Sequence, residues 1–307
     1  MISNFFSKTK PANQAVVIGI LVLGYWLVWA TVNGISGLKA NLLWIFLGNI
    51  GLVVSVLGIS QIVKFNKLTG TNSFAIFFFV LLLFWFNAVF LNIKEIYAAL
   101  FLMFSLGRII TLLSQKNKKE KVFEAALWLF MAVIIDPWTI LFVVPLYLAI
   151  SQFWNNEMRL WFMPFAAFFA LALIVFAIAI NTESVTTLLE HFSLQFGFGL
   201  FQAVPFGLIL YLLFCVLLAL FVFGKIGYRR QGKTLRLRVV LGYLFTAILL
   251  IALPVEGFAP KILYTFFPMS IVLTNYTNSI RKPRFKELFL WTVVILGIVF
   301  LCLTLLQ

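Results

Sequence analysis

Long apolar runs follow one another along almost the whole chain, and this pattern constrains the fold more than any other feature. A helix needs about 20 apolar residues to cross a hydrocarbon core of about 30 Å. Seven predominantly apolar runs are near that length: Ala15–Val32, Leu42–Val63, Ser73–Leu91, Tyr97–Leu113, Trp161–Ile180, Pro205–Phe223 and Phe289–Leu306. The pattern predicts an all-α integral membrane protein.

The composition excludes a soluble protein. Of the 307 residues, 64% are hydrophobic and 10% are charged, whereas soluble domains have roughly 45–50% apolar and about 25% charged residues. Such a chain lacks the polar surface that a cytosolic enzyme or a secreted domain needs. We therefore expect one polytopic membrane domain over residues 1–307, beginning with a polar cytoplasmic segment at residues 1–14.

Two further apolar stretches are open to two interpretations. Val122–Trp154 is too long for one ordinary span, and Asp136-Pro137-Trp138 interrupts it. The proline removes a backbone donor and disfavours helix at the residue before it. Residues 239–276 hold two short runs on either side of Pro254-Val255-Glu256-Gly257. Such short paired helices either span the bilayer or re-enter it.

The distribution of basic residues favours spanning hairpins. With two hairpins the chain has eleven spans, and all but three of its 23 Lys and Arg residues lie on one side. The exceptions are Lys39, Lys94 and Lys261. If residues 122–154 cross only once, this asymmetry collapses. The sequence therefore predicts about eleven transmembrane helices including short helical hairpins, with the N-terminus cytoplasmic and the C-terminus periplasmic.

This topology gives the net charge of +14 a meaning. In a soluble chain that charge would suggest nucleic acid, but here it marks the cytoplasmic side, and we expect no nucleic-acid partner. Membrane lipids are expected partners, since the basic cytoplasmic loop 225–238 attracts anionic headgroups. The apolar character of residues 181–204 predicts a periplasmic segment lying in the membrane interface.

Few residues offer catalytic chemistry. The chain contains no phosphate-binding Gly-rich loop, no Gly-x-Ser-x-Gly and no His-Glu-x-x-His, and its single histidine, His191, excludes a histidine metal cluster. We expect no cofactor and no metal. None of the nine acidic residues falls at a predicted midplane, which argues against ion-coupled transport.

Asp136 is the most distinctive polar residue, because it precedes Pro137 at the predicted outer tip of two short helices. It is either a base or metal-assisted phosphate ligand, or the N-cap of the following helix, for which Asp-Pro is a common start. Glu190, His191 and Glu256 are the other predicted outer groups with acid–base capacity.

On the inner side, Arg108 and Glu124 lie near the ends of neighbouring predicted spans. They are expected to pair across the helices or to extend to the interface. Lipid or partner contacts are expected here, and the candidate residues are Arg108, Glu124, Arg159, Arg229, Arg230 and Arg236.

The opening Met1-Ile-Ser-Asn-Phe-Phe-Ser-Lys-Thr-Lys-Pro11, in a chain of this length and hydropathy, resembles a family of uncharacterised inner-membrane proteins of Bacteroidota. Some members of that family carry a carotene-monooxygenase label, which would require a cluster of iron-binding histidines. The resemblance implies a multi-pass protein of the bacterial inner membrane and implies no activity.

A second resemblance covers Ser105–Ile180. A basic inner loop leads to paired short helices with the tip Asp136-Pro137, followed by Pro145-Leu-Tyr and by Arg159-Leu-Trp-Phe-Met-Pro164. This order is similar to the membrane core of polyprenyl-phosphate-sugar glycosyltransferases. Those enzymes use an acid in the first outer loop, whereas the corresponding loop here, Asn33–Asn41, contains no Asp or Glu.

Three functions fit these observations. The first is a non-catalytic subunit or scaffold of a cell-envelope complex (secretion, lipoprotein or glycan machinery) with membrane or periplasmic protein partners. The second is a glycosyltransferase-like enzyme using an undecaprenyl-phosphate-linked sugar, with Asp136 or Glu256 in place of the missing acid and a polyprenyl-phosphate lipid as ligand. The third is a facilitator for a lipid or a neutral solute. The scarcity of buried charge favours the first.

Overall fold

The computed structural model describes residues 2–113, 117–153, 157–193, 206–226, 231–253 and 260–305. These residues form helices and contain no strand, as the all-α prediction requires. The α-helices are α1 (Ile2–Phe6), α2 (Pro11–Ala40), α3 (Leu42–Phe65), α4 (Phe74–Trp85), α5 (Ile93–Ile110), α6 (Lys118–Ile135), α7 (Val143–Phe153), α8 (Met158–Asn181), α9 (Val185–His191), α10 (Phe206–Ile226), α11 (Gln231–Ala252), α12 (Leu263–Ser279) and α13 (Pro283–Leu305). Short 3₁₀ helices occupy Asn87–Leu91, Thr111–Leu113, Pro137–Phe142 and Pro260–Ile262.

A helix lies in each of the eleven segments that the sequence delimits as spans. Within the described ranges, six helical segments are long and apolar enough to cross a membrane: Pro11–Gly34, Leu42–Phe65, Met158–Asn181, Gly207–Lys225, Thr234–Ala252 and Pro283–Cys302. These six segments indicate a membrane protein. The basic segment 225–238 is partly helical, because α11 already begins at Gln231.

Proline interrupts the long apolar stretch at the predicted position. α6 ends at Ile135, and the 3₁₀ helix Pro137–Phe142 leads into α7. Asp136 between them is extended, with φ −129° and ψ 103°, which is the conformation that a following proline favours. The chain therefore changes direction at Asp136.

The helix α12 forms the centre of the bundle and contacts α4, α5, α10 and α11. Every residue from Lys261 to Asn275 is buried, and α12 itself contains no charged residue. Serine and threonine hydroxyl groups of α12 bond within the helix, since Ser270 donates to the Phe267 carbonyl and Thr274 to the Ser270 carbonyl, each at 2.7 Å.

The helices α8 and α13 lie at the periphery. Only 17% of the spanning window is buried in each of them, and their main neighbours are α6 and α4, respectively. Large apolar side chains such as Phe169, Leu173 and Ile298 are exposed on them. In a membrane these faces contact lipid or other proteins.

Candidate functional site

A buried cluster of charged and hydroxyl groups lies where α6 ends and α12 begins. Asp136 follows α6, Lys261 belongs to the 3₁₀ helix before α12, and Tyr264 lies in the first turn of α12. Asp136 and Lys261 are each 7% exposed. The fold thus joins residues that are 125 and 128 positions apart in the sequence.

Both carboxylate oxygens of Asp136 accept hydrogen bonds from the chain. Oδ2 accepts from the Lys261 ammonium and from the Tyr264 hydroxyl, each at 2.7 Å. Oδ1 accepts from the backbone N–H of Trp138 at 3.2 Å. The bond to Trp138 confirms that Asp136 caps the helix that begins with Pro137. The ion pair with Lys261 adds a second role that the sequence did not predict.

The pair satisfies a strict electrostatic requirement. A charge removed from water is very costly unless it is paired and hydrogen-bonded. Asp136 and Lys261 meet this requirement for each other, and Tyr264 supplies a further donor to the same oxygen. The cluster therefore places two charges in the interior without leaving either of them isolated.

Glu95 is the second acid of this region. It lies in the first turn of α5, just before the predicted span Tyr97–Leu113, and its charge interacts with those of Lys261 and Asp136. Burial raises the pKa of Glu95 above its ordinary value of 4.5, although its own backbone N–H and Lys261 act in the opposite direction. Lys261 thus forms an ion pair with Asp136 and attracts the carboxylate of Glu95 at longer range.

A small cavity lies beside the cluster. It has a volume of about 20 Å³, and Tyr264, Phe142 and Tyr243 line it together with Ser55 of α3 and apolar residues of α4, α5 and α12. A space of this size holds about one water molecule. The Tyr243 hydroxyl lies 3.1 Å from that of Ser105, so the neighbouring polar groups are also paired within the bundle.

The other predicted outer groups are arranged differently. His191 is exposed at the end of α9, and its Nε2 lies 3.0 Å from the Ile134 carbonyl, which holds α9 against the end of α6. Glu190 is exposed. No hydrogen bond or ion pair within the described ranges joins Glu190 or His191 to Asp136. Glu256 lies outside the described residues.

The predicted inner residues form contacts between helices. Arg108 Nε lies 2.8 Å from Glu124 Oε2, and this ion pair between α5 and α6 confirms that the two residues pair. Arg236 Nη1 donates to the Asn66 carbonyl at 2.5 Å and links α11 to the end of α3. Arg159 is exposed at the start of α8. Arg229 and Arg230 lie outside the described residues.

Sequence reasoning missed Lys261, Tyr264 and Glu95 as members of the cluster. The sequence gives a weak indication for Lys261. It is one of only three basic residues on the predicted outer side, where the positive-inside rule predicts few of them. Glu95 directly follows Lys94, another of these three residues, and so lies on the same predicted side. Tyr264 carries no signal in the sequence, since buried tyrosines are common in apolar helices.

The described residues define an all-α membrane protein with a buried ion pair beside its central helix. The chain matches the family of unknown function DUF6427 over residues 1–306 and belongs to that family. No curated protein and no solved structure matches it. The match agrees with the expectation of an uncharacterised family, and it specifies neither a lineage nor a glycosyltransferase relationship.

Proposed function

We propose that the chain is a non-catalytic subunit or scaffold of a cell-envelope complex in a bacterial inner membrane. The observation that carries this proposal is the closure of the Asp136 cluster. A general acid or base must reach a proton of the substrate, but the chain itself occupies both oxygens of Asp136. The adjoining cavity holds about one water molecule. The cluster is therefore suited to fixing the bundle.

We further propose eleven spans, with the N-terminus cytoplasmic and the C-terminus periplasmic. One ion pair supports the hairpin in residues 122–154, because Lys118 Nζ lies 2.9 Å from Glu157 Oε1 at the two ends of that stretch. The Asp136–Lys261 pair supports the second hairpin, since it joins two residues assigned to the outer side. A chain that crossed only once over residues 122–154 would separate Lys118 from Glu157 by the bilayer.

Partner proteins would bind in the membrane or on the periplasmic side. The peripheral helices α8 and α13 support this part of the proposal, since only 17% of each spanning window is buried. Their exposed apolar faces are available for packing against helices of other subunits as well as lipid.

A glycosyltransferase-like enzyme that uses a polyprenyl-phosphate-linked sugar is the second candidate. One observation favours it: Asp136, Lys261 and Tyr264 converge from distant segments on the proposed periplasmic side, where that class of enzymes carries its acid. Catalysis by Asp136 would require Lys261 to release it. A facilitator for a lipid or a neutral solute is the third candidate.

Paired replacement of the two charges separates the first two candidates. Asp136→Asn combined with Lys261→Met removes both charges and keeps similar volume, so no isolated charge remains. In a deletion strain, a scaffold carrying this double variant should restore the envelope glycan and lipoprotein profiles. An enzyme that needs Asp136 should accumulate to the wild-type level and restore nothing, and that result would refute the scaffold proposal.

One further strain and one purification complete the experiment. Glu256→Gln tests the other acid that the sequence offers in place of the missing one, and the scaffold proposal expects full complementation. Cross-linking and affinity purification of the tagged chain from the native membrane should recover the same envelope proteins with the double variant and with the wild type. Loss of these proteins with an unchanged protein level would assign the cluster to the partner interface.

A further inference from the structure

A long apolar groove lies between α1, α2, α4 and α13 and has a volume of about 520 Å³. Val16 and Ile20 of α2 line one wall, and Trp291 and Ile298 of α13 line the opposite wall. Its volume falls in the range of ligand pockets, about 300–1,000 Å³. In a membrane, a groove with this lining accepts a hydrocarbon chain.

The short helix α1 contributes Ile2, Phe5 and Phe6 to the lining at one end of the groove. α13 holds it in place, because the backbone N–H groups of Ile2 and Ser3 donate to the two carboxylate oxygens of Glu287 at 2.6 and 3.1 Å. The negative charge of Glu287 is therefore engaged by the positive end of α1. This end lies on the proposed cytoplasmic side.

Basic residues surround the same end. Arg284 precedes Trp291 by seven positions and Ile298 by fourteen, so it lies on the groove-lining face of α13. Lys286 Nζ lies 4.7 Å from the centre of the Phe74 ring, one helical turn from the groove residue Phe77.

The charges of this end are strongly unbalanced. Residues 2–10 and 281–287 contain one acid, Glu287, whose oxygens α1 already occupies. The basic residues are Lys8, Lys10, Arg281, Lys282, Arg284 and Lys286. The ion pairs found in the described ranges involve none of these six. Together they attract anionic groups to this end of the groove.

We propose that the groove binds one anionic glycerophospholipid of the cytoplasmic leaflet. One acyl chain occupies the apolar groove, and the phosphate lies at Arg284 and Lys286. A neutral or zwitterionic lipid fits the groove equally well but leaves the basic residues without a net counter-charge. The inference rests on the membrane location of the chain and is independent of a scaffold or an enzymatic role.

Native mass spectrometry of the delipidated full chain tests the headgroup preference. The chain is titrated in detergent with phosphatidylglycerol or with phosphatidylcholine of the same acyl chains. We expect one phosphatidylglycerol to be retained in preference, and Arg284→Gln to reduce that preference about fivefold. The matched control is Lys119→Gln, which removes an exposed basic residue at the start of α6 and should leave the preference unchanged.

A second pair of variants tests the position of the acyl chain. Ile298 and Ile295 belong to the same helix and are 56% and 53% exposed, but only Ile298 lines the groove. Ile298→Trp should abolish the retained lipid, and Ile295→Trp should not. Val16→Trp fills the groove from the opposite wall and replaces Ile298→Trp if that variant does not elute as a single species.

Three results would overturn the proposal. The first is equal retention of the two lipids by the wild type. The second is an equal loss of lipid in Ile298→Trp and Ile295→Trp. The third is a wild-type dimer that Ile298→Trp dissociates, since the groove would then be occupied by a second copy of the chain.

Discussion

The ammonium group of Lys261 lies 2.7 Å from Oδ2 of Asp136, although 125 positions separate the two residues in the sequence. The contact joins the break after α6 to the start of the buried helix α12. In the described ranges, the other ion pairs, Arg108–Glu124 and Lys118–Glu157, keep much of at least one side chain exposed. The Asp136–Lys261 pair has both side chains 9% exposed.

Asp136→Asn should therefore destabilise the fold strongly. It leaves the Lys261 ammonium buried without its counter-charge, which costs about 3–5 kcal/mol. The double variant Asp136→Asn, Lys261→Met should recover most of that loss. Thermal unfolding of the purified chain in detergent measures both effects. If Asp136→Asn were as stable as the wild type, the ion pair with Lys261 would not stabilise the chain at the end of α6.

The exposed pair between α5 and α6 provides the control for this prediction. The side chains of Arg108 and Glu124 are 49% and 40% exposed, so water screens their attraction. Glu124→Gln should cost less than about 1 kcal/mol, and added salt should reduce its effect further.

Tyr264→Phe should lower stability less than Asp136→Asn but more than an ordinary tyrosine substitution. It removes a hydrogen bond to a carboxylate, which contributes about 1.5–3 kcal/mol. Tyr97→Phe is the matched control, because the Tyr97 hydroxyl donates to a neutral group, the Leu47 carbonyl, at 3.0 Å. Its loss costs about 0.5–1.5 kcal/mol. If Tyr97→Phe lowered the stability more than Tyr264→Phe, the bond from Tyr264 to Asp136 would not have the strength expected of a bond to a charged carboxylate.

The break at Asp136 and its capping bond could be predicted from the sequence, because they depend on two adjacent residues and on the geometry of proline. The partner of Asp136 could not be predicted in the same way. Lys261 meets it only through the packing of α12 against its neighbours, and apolar helices carry little information about which of their faces meet. The pairing of Arg108 with Glu124 was accessible, because a short connection places α5 beside α6.

The groove beside α1 depends on similar packing information. The sequence places basic residues at the cytoplasmic ends of α2 and α13, which the positive-inside rule alone accounts for. Only the bonds from Ile2 and Ser3 to Glu287 bring the two ends together. A count of charges along the chain therefore predicts the side of the membrane but not the site.

Gly24→Ala should destabilise the contact between α2 and α4. A Cβ atom on Gly24 would lie 2.2 Å from Cε1 of Phe84, whose ring is buried. Overpacking of this kind costs about 1–3 kcal/mol. Gly19→Ala is the control on the same helix, because nothing lies within 4 Å of its added Cβ, and it should stabilise the helix by about 0.5–1 kcal/mol. Equal melting temperatures for the two variants would contradict the contact.

Glu95→Gln should raise the melting temperature at pH 7. Burial raises the pKa of Glu95 above its ordinary 4.5, so the folded chain holds this proton more tightly than the unfolded chain. The stability that Glu95 contributes is fully present below pH 4.5 and is lost as the pH rises through the folded pKa. The advantage of Glu95→Gln should therefore shrink as the pH is lowered.

Melting curves of the wild type and of Glu95→Gln between pH 4 and pH 7.5 measure this dependence. Glu120→Gln is the control, because Glu120 is exposed in the first turn of α6. An advantage of Glu95→Gln that grows on acidification would mean that Lys261 and Lys94, rather than burial, dominate the surroundings of Glu95.

Single cysteines at the ends of residues 122–154 should be labelled from the same side of the membrane. Lys119 and Arg159 are exposed at these ends, and between their neighbours Lys118 Nζ lies 2.9 Å from Glu157 Oε1. In a chain freed of Cys215 and Cys302, Lys119→Cys and Arg159→Cys should react with an impermeant maleimide only after the cells are permeabilised. Lys94→Cys should react in intact cells. Labelling of Lys119→Cys and Arg159→Cys from opposite sides would mean that residues 122–154 cross the membrane once. α8 would then have the opposite orientation, and the eleven-span topology would be wrong.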